Sequence, residues 1–315
     1  MKTKFRTFIG ETHIDFMSKD KLALKMSLVV LAICLLSLLF RGLNLGLDFT
    51  GGTVVEAHYP TPVAMPDVRQ ALVTAGFHDA QSQYFGTSTD ILLRLPPREG
   101  LSAGDISQQV LAALKQVPGG EQVQLRRVEF VGPQVGQELV ENGGLAMLFA
   151  LIGIMAYVAF RFEWKLALGT VAATLHDLVF TVGVFSLFQI EFDLTVLAAI
   201  LAVTGYSVND TVVVLDRIRE NFRKMRRESV REIMNVSINQ TLTRTIITAF
   251  TVFLSMVVLL LFGGPILRGF SIAMLIGVIV GTYSSIYIAS ASALHLDIKR
   301  EDLLPRAKEA LDNRP

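Results

Sequence analysis

Asp210 stands inside a stretch that otherwise reads as a membrane span. An apolar run opens at Leu194, the carboxylate follows within Gly205–Glu220 (GYSVNDTVVVLDRIRE), and Val212–Leu215 lead to a charged exit. A charge near a bilayer centre costs roughly 2.5–3.5 kcal/mol on insertion scales, so it requires a partner or a purpose. The next apolar helix opens on Arg244, in TLTRTIIT, the obvious partner. Asp210 lies about 25 Å down a helix from Asp193, and Arg244 about 27 Å from Phe262. Two separate counts therefore set opposite charges at nearly one level. A pair that breaks and re-forms can load and release a proton. The same residues equally suit a static pair, with Arg244 snorkelling to the headgroups. On residues alone both readings stay open.

His176–Asp177 is a second polar site, in mid-span within LHDLVF, about 18–20 Å from the outer end at Gln189. Histidine beside a carboxylate suits a proton relay, because imidazole titrates near neutrality. Neighbours on a helix diverge by about 100°, so these two are not expected to form a ready-made pair. One should face the bundle interior and the other a neighbouring helix, and plain helix–helix hydrogen bonding is the alternative. Asn209, Ser207, Thr204 and Thr211 surround Asp210, and Gln240, Thr241, Thr243 and Thr248 flank Arg244. Such side chains can satisfy charged groups in hydrocarbon. Gly169, Gly183, Gly205, Gly277 and Gly281 should allow close helix packing, the last two as a GxxxG pattern.

Those candidate sites need a frame to hold them, and composition supplies it. Hydrophobic residues make up 51% of the chain and charged residues 18%, the profile of a polytopic membrane protein. The single cysteine, Cys34, excludes an internal disulfide framework and a cysteine metal site. No A-x-A-like cleavage site follows the first apolar run, so it is expected to be a retained anchor. Six runs are long enough to span: 22–40, 143–160, 166–188, 194–215, 245–262 and 269–294. Segment 1–21, the basic loop and helix start 216–244, and the tail 295–315 carry the Lys/Arg excess. The loops on the other side carry almost none. By the positive-inside rule both termini are expected in the cytoplasm.

Segment 41–142 should then form an outward domain between the first two spans. Strands at 52–59, 81–85, 90–95 and 122–131 and helices at 66–76 and 103–117 give the order βαββαβ. That order suggests a ferredoxin-like α+β fold. Asp48–Gly52 resembles half of an aspartic-protease loop, but it has an inserted residue and no second copy. Its two glycines are expected to form a tight turn. There is no HExxH, no nucleophile elbow and no Walker A loop, so no enzyme, metal or other cofactor is expected. Nor is a nucleic-acid partner.

Seven stretches occur in a specific order. They are LDFTGGT (47–53), VEFVGP (128–133), FRFEWKLALG (160–169), LHDLVFT (175–181), GYSVNDTVVVLDRIREN (205–221), QTLTRT (240–245) and FGGPILRGFS (262–271). Together they resemble the SecF members of the SecD/SecF family, in the resistance–nodulation–division superfamily, over about 19–300. The resemblance implies a subunit of the bacterial Sec protein-export machinery in the inner membrane, with the large domain periplasmic. It implies SecD, the SecYEG channel, the translocating polypeptide and membrane lipid as partners. It implies use of the proton motive force, with Asp210 and Arg244 on proton-pathway positions and His176 and Asp177 in a matching motif. A structural adaptor without proton conduction and a small-molecule exporter are the rival expectations.

Overall fold

The structure is a computed structural model that describes residues 12–98 and 101–303. The ends of the expected segments 1–21 and 295–315 therefore lie outside the described residues. In chain order it holds helix α1 (Asp20–Phe40), strand β1 (Gly52–His58), helix α2 (Met65–Thr74) and strands β2 (Gln81–Phe85) and β3 (Thr87–Leu95). Helix α3 (Ala103–Leu114), strand β4 (Gln124–Val131) and helices α4 (Pro133–Arg161), α5 (Trp164–Phe188) and α6 (Leu194–Lys224) follow. Helices α7 (Val230–Phe262) and α8 (Arg268–Ser284), a π turn (Ser285–Ala289) and helix α9 (Ser290–His295) come next, and a last helical turn, Arg300–Leu303, follows them. Among the described residues six helical segments are long and apolar enough to cross a membrane, so the chain is a polytopic helical membrane protein. Two compact units divide at Asn44/Leu45 and at Ala146/Met147.

The smaller unit is an antiparallel sheet in the order β2-β3-β1-β4, with two helices in its core. Period-two alternation sends Val55, Ala57, Ile91, Leu93 and Leu95 into that core. Val68 and Leu72 of α2 and Ile106, Val110 and Leu114 of α3 cover them. Ser102 and Asp105 close a capping box that starts α3. The glycine pair of LDFTGGT ends a short helical turn, Leu47–Thr50, and enters β1 at φ +66° and +120°. A Cβ on Gly52 would also lie 2.4 Å from the Leu95 carbonyl oxygen, so only glycine fits.

One polar cluster braces this sheet. Asp90 accepts from Thr87 Oγ1 at 2.6 Å, and meets His58 Nδ1 at 2.6 Å and Arg126 Nη1 at 3.0 Å. The Thr87 hydrogen bond first, then that of His58, and the Arg126 charge hold the Asp90 carboxyl below the usual carboxylate range.

In the larger unit α5, α6 and α8 are the buried centre, while α1, α4 and α7 leave most of their apolar surface exposed. Lipid is as apolar as leucine, so packing here depends on close approach and not on removal from water. Gly277 admits Val203 so tightly that a Cβ would sit 2.3 Å from its Cγ1, and Gly281 lies against Ser207. Gly205 has open space around it, so it does not join the packing glycines.

One end of the bundle is tied by charge. Arg161 pairs with Asp216, Arg219 with Glu163 at 3.1 Å and Lys165 with Asp302 at 2.7 Å. Asp20 lies 3.2 Å from Arg231 and 3.4 Å from His295. At that end the segment before α1 is strapped to α7. Asn239 clamps Ile14 through both its N–H (2.9 Å) and its carbonyl (2.8 Å), and Asn235 accepts from the Met17 N–H at 2.9 Å.

Gly277→Leu should lower stability by at least about 1–3 kcal/mol through overpacking. Gly205→Ala should leave it unchanged or slightly raised. Thermal unfolding in detergent, followed by size exclusion, measures both. Because the native Asp90 carboxyl titrates below its unfolded value of about 3.9, its contribution is present above that pH and is lost as pH falls through the native value. Asp90→Asn should remove roughly 0.5–1 kcal/mol at neutral pH and flatten this acid dependence. Hydrogen exchange in β1 and β3 of the full chain, at neutral and acid pH, reads both effects.

Candidate functional site

Helix α6 buries Asp210 to 7% exposure. Its Oδ1 accepts from Thr245 Oγ1 of α7 at 2.7 Å, and its Oδ2 from Ser285 Oγ, at the head of the π turn, also at 2.7 Å. The expected partner is thus displaced by one residue. Thr245 stands at the level estimated for Arg244, but neighbours on a helix diverge by about 100°. Thr245 takes the inward position, and Arg244 is exposed on the flank of α7 and forms no ion pair with Asp210. The arginine sits within electrostatic reach of the carboxylate without touching it.

Asp177 on α5 is buried to 2% exposure. Its Oδ2 accepts from Ser207 of α6 and, at 2.7 Å, from Ser284 of α8. Its Oδ1 lies 3.0 Å from His176 Nδ1. The two adjacent residues therefore do meet, contrary to the divergence expected of helix neighbours. Helical spacing separates their Cβ directions, but the two side chains still close to hydrogen-bond distance. His176 Nε2 has no hydrogen-bond partner among the described residues. The ring is 6.1 Å from Tyr283 and 6.0 Å from Phe180, beside an apolar cavity of about 420 Å³ between α1, α5 and α8.

Asn209 is not brought to the site; it lies on the exposed side of α6. Thr204 turns back to the Ile200 carbonyl, and Gln240 accepts from Asn221, which also donates to Ser237. Ser207 belongs to Asp177 and not to Asp210. The partners that sequence reasoning missed are Thr245, Ser284 and Ser285. Two adjacent serines in the hydroxyl-rich second half of the last span are the signal that could have found the last two.

The site is two buried carboxylates, each held by two hydroxyls from other helices. A hydroxyl donates to a carboxylate and equally accepts from a carboxylic acid, so this shell can serve both protonation states. Among the described residues no group of His, Cys, Asp and Glu is arranged to hold a metal.

Comparison with known proteins places this arrangement. Residues 109–299 match the model of protein export membrane protein SecD/SecF, C-terminal, and residues 36–63 match the SecD/SecF GG motif. The protein translocase subunits SecF of Vibrio alginolyticus and Pseudomonas aeruginosa are each 49% identical to this chain. The alignments cover 96% of it in both cases, and 95% and 98% of those proteins. The crystal structure of SecDF, a translocon-associated membrane protein from a Thermus species, superposes with a TM-score of 0.81 at 35% identity over 91% of this chain. The chain spans 39% of the length of that SecDF chain. It belongs to the SecD/SecF family of protein-export membrane proteins, among the translocase subunits of the SecF type.

Proposed function

We propose that this chain assists protein export by coupling proton entry at Asp210 to helix movement. The carrying observation is that a buried intramembrane carboxylate on α6 is gripped by hydroxyls from α7 and from the π turn that follows α8. Its protonation state therefore bears on the packing of three helices at once. A proton descending the gradient yields about 2.3 kcal/mol per 100 mV, enough to bias two states a few kcal/mol apart. In this reading Asp210 binds the proton, and Thr245 and Ser285 position it. Arg244 sets the local charge, and Asp177 with His176 forms a second station. No bond of the exported chain is broken, so the role is transport and not enzymic catalysis.

The partner is SecD, which the length of the SecDF relative supports, and the pair would act on polypeptide emerging from the SecYEG channel. The positive-inside rule supports placing the Arg161, Arg217 and Arg231 end of the bundle in the cytoplasm of a bacterial inner membrane, with both termini there. The crossing segments lie within α1, α4, α5, α6, α7 and the continuous run of α8, π turn and α9, and 41–142 is the periplasmic domain. Its sheet order supports a ferredoxin-like fold.

Asp210→Asn should abolish the gradient-stimulated part of export into inverted membrane vesicles and leave gradient-independent export in place. Thr245→Val, which removes a hydrogen bond to a charged group worth about 1.5–3 kcal/mol, should weaken the same part several-fold. Full gradient stimulation in Asp210→Asn, with the complex assembled, would leave a structural adaptor as the better reading.

A further inference from the structure

The π turn of the last span joins the two carboxylates. Ser284 and Ser285 are consecutive, yet one donates to Asp177 of α5 and the other to Asp210 of α6, each at 2.7 Å. On a regular helix two neighbours diverge by about 100°, so they serve two acids on two different helices. The π turn begins at the second of them, and such turns occur preferentially where function interrupts a helix. It also presses on α5, since a Cβ at Gly169 would lie 2.6 Å from the Ala289 carbonyl oxygen. A further link runs along α6, where Ser207, one turn before Asp210, donates to Asp177.

We infer that Ser284 and Ser285 are positioning residues that make Asp177 and Asp210 a single coupled protonation unit, with the π turn as the joint between them. The inference deepens the proton-coupled reading above and rests on it. Its physical basis is that each serine has one hydrogen and two acceptors in reach. Ser285 Oγ lies 2.7 Å from Asp210 Oδ2 and 3.1 Å from the Thr282 carbonyl oxygen. Ser284 Oγ lies 2.7 Å from Asp177 Oδ2 and 3.2 Å from the Gly281 carbonyl oxygen.

When Asp210 takes a proton, the new O–H donates to Ser285 Oγ, and the serine hydrogen turns to Thr282. No buried donor is left unpaired, and the atoms balance with one proton gained. Ser284 makes the mirror-image change at Asp177. The two fallback acceptors are adjacent carbonyls of one turn of α8, so occupying one alters the turn that holds the other. The charged and titratable groups around the unit are His176 on α5, Tyr206 on α6, Arg244 on α7, Tyr283 and Tyr287 on the last span, and Cys34 of α1 against Gly183.

An apolar carbodiimide forms adducts with protonated carboxyls in membranes, and mass spectrometry assigns them to Asp210. Its pH profile in native membranes, with the full chain and its partner present, tests the inference. Asp177→Asn and Ser284→Ala do not touch Asp210, yet each should displace the midpoint of Asp210 labelling by about one pH unit. Ser284→Thr, which keeps the hydroxyl, should restore it. Should Ser284→Ala fail to assemble, Asp177→Asn carries the same test. An unmoved Asp210 midpoint in these variants overturns the inference. If Asp210→Asn still abolishes gradient-stimulated export in that case, the proposed function stands without it. A displaced midpoint beside normal export in Asp210→Asn upholds the coupling and removes the transport reading.

Discussion

A carboxylate taken into hydrocarbon must keep its hydrogen bonds, and that requirement organises the membrane unit. Leaving Asp177 or Asp210 without donors would cost several kcal/mol, more than any single helix contact returns. The donors come from three other places in the chain: Ser207 on α6, Thr245 on α7, and Ser284 with Ser285 where α8 enters its π turn. A hydroxyl reaches only about 2.7 Å, so these helices must approach closely. Gly277 and Gly281 supply that approach, and the buried centre of α5, α6 and α8 follows from it.

The smaller unit meets its polar requirement differently. Asp90 is near water and can hold an imidazole and a guanidinium as well as a hydroxyl. Its sheet gains stability by removing Val55, Ile91 and Leu93 from water, a driving force that lipid-facing helices lack. One chain thus uses Arg and Lys pairing outside the spans and, inside them, hydroxyls with the single imidazole of His176. The Arg and Lys ion pairs of the bundle follow the same division. Arg161–Asp216, Arg219–Glu163 and Lys165–Asp302 all sit at one end, where desolvation is least.

Much of this was legible in the sequence. Apolar runs of spanning length gave six helices, and the isolated Asp210 and the His176–Asp177 pair marked the polar interior before any contact was known. The facing of side chains was not legible. Depth along a helix follows from counting, but rotation depends on how the neighbour packs, and a one-residue error turns a side chain by about 100°. Counting therefore points to Arg244 where Thr245 makes the bond, and to Asn209 although it lies on the exposed side of α6. The roles of Ser284 and Ser285 are hidden in the sequence for a related reason. A π turn shifts facing by inserting a residue, and no periodicity in the sequence announces it.

The seat of Val203 over Gly277 has a mechanical consequence. A side chain lodged in a notch of the opposing backbone keys the two helices in register. Axial sliding would have to lift the key out and drop it a whole turn away, about 5.4 Å. The contact between α6 and α8 therefore resists sliding along the helices and fixes the level at which their hydroxyls meet the acids.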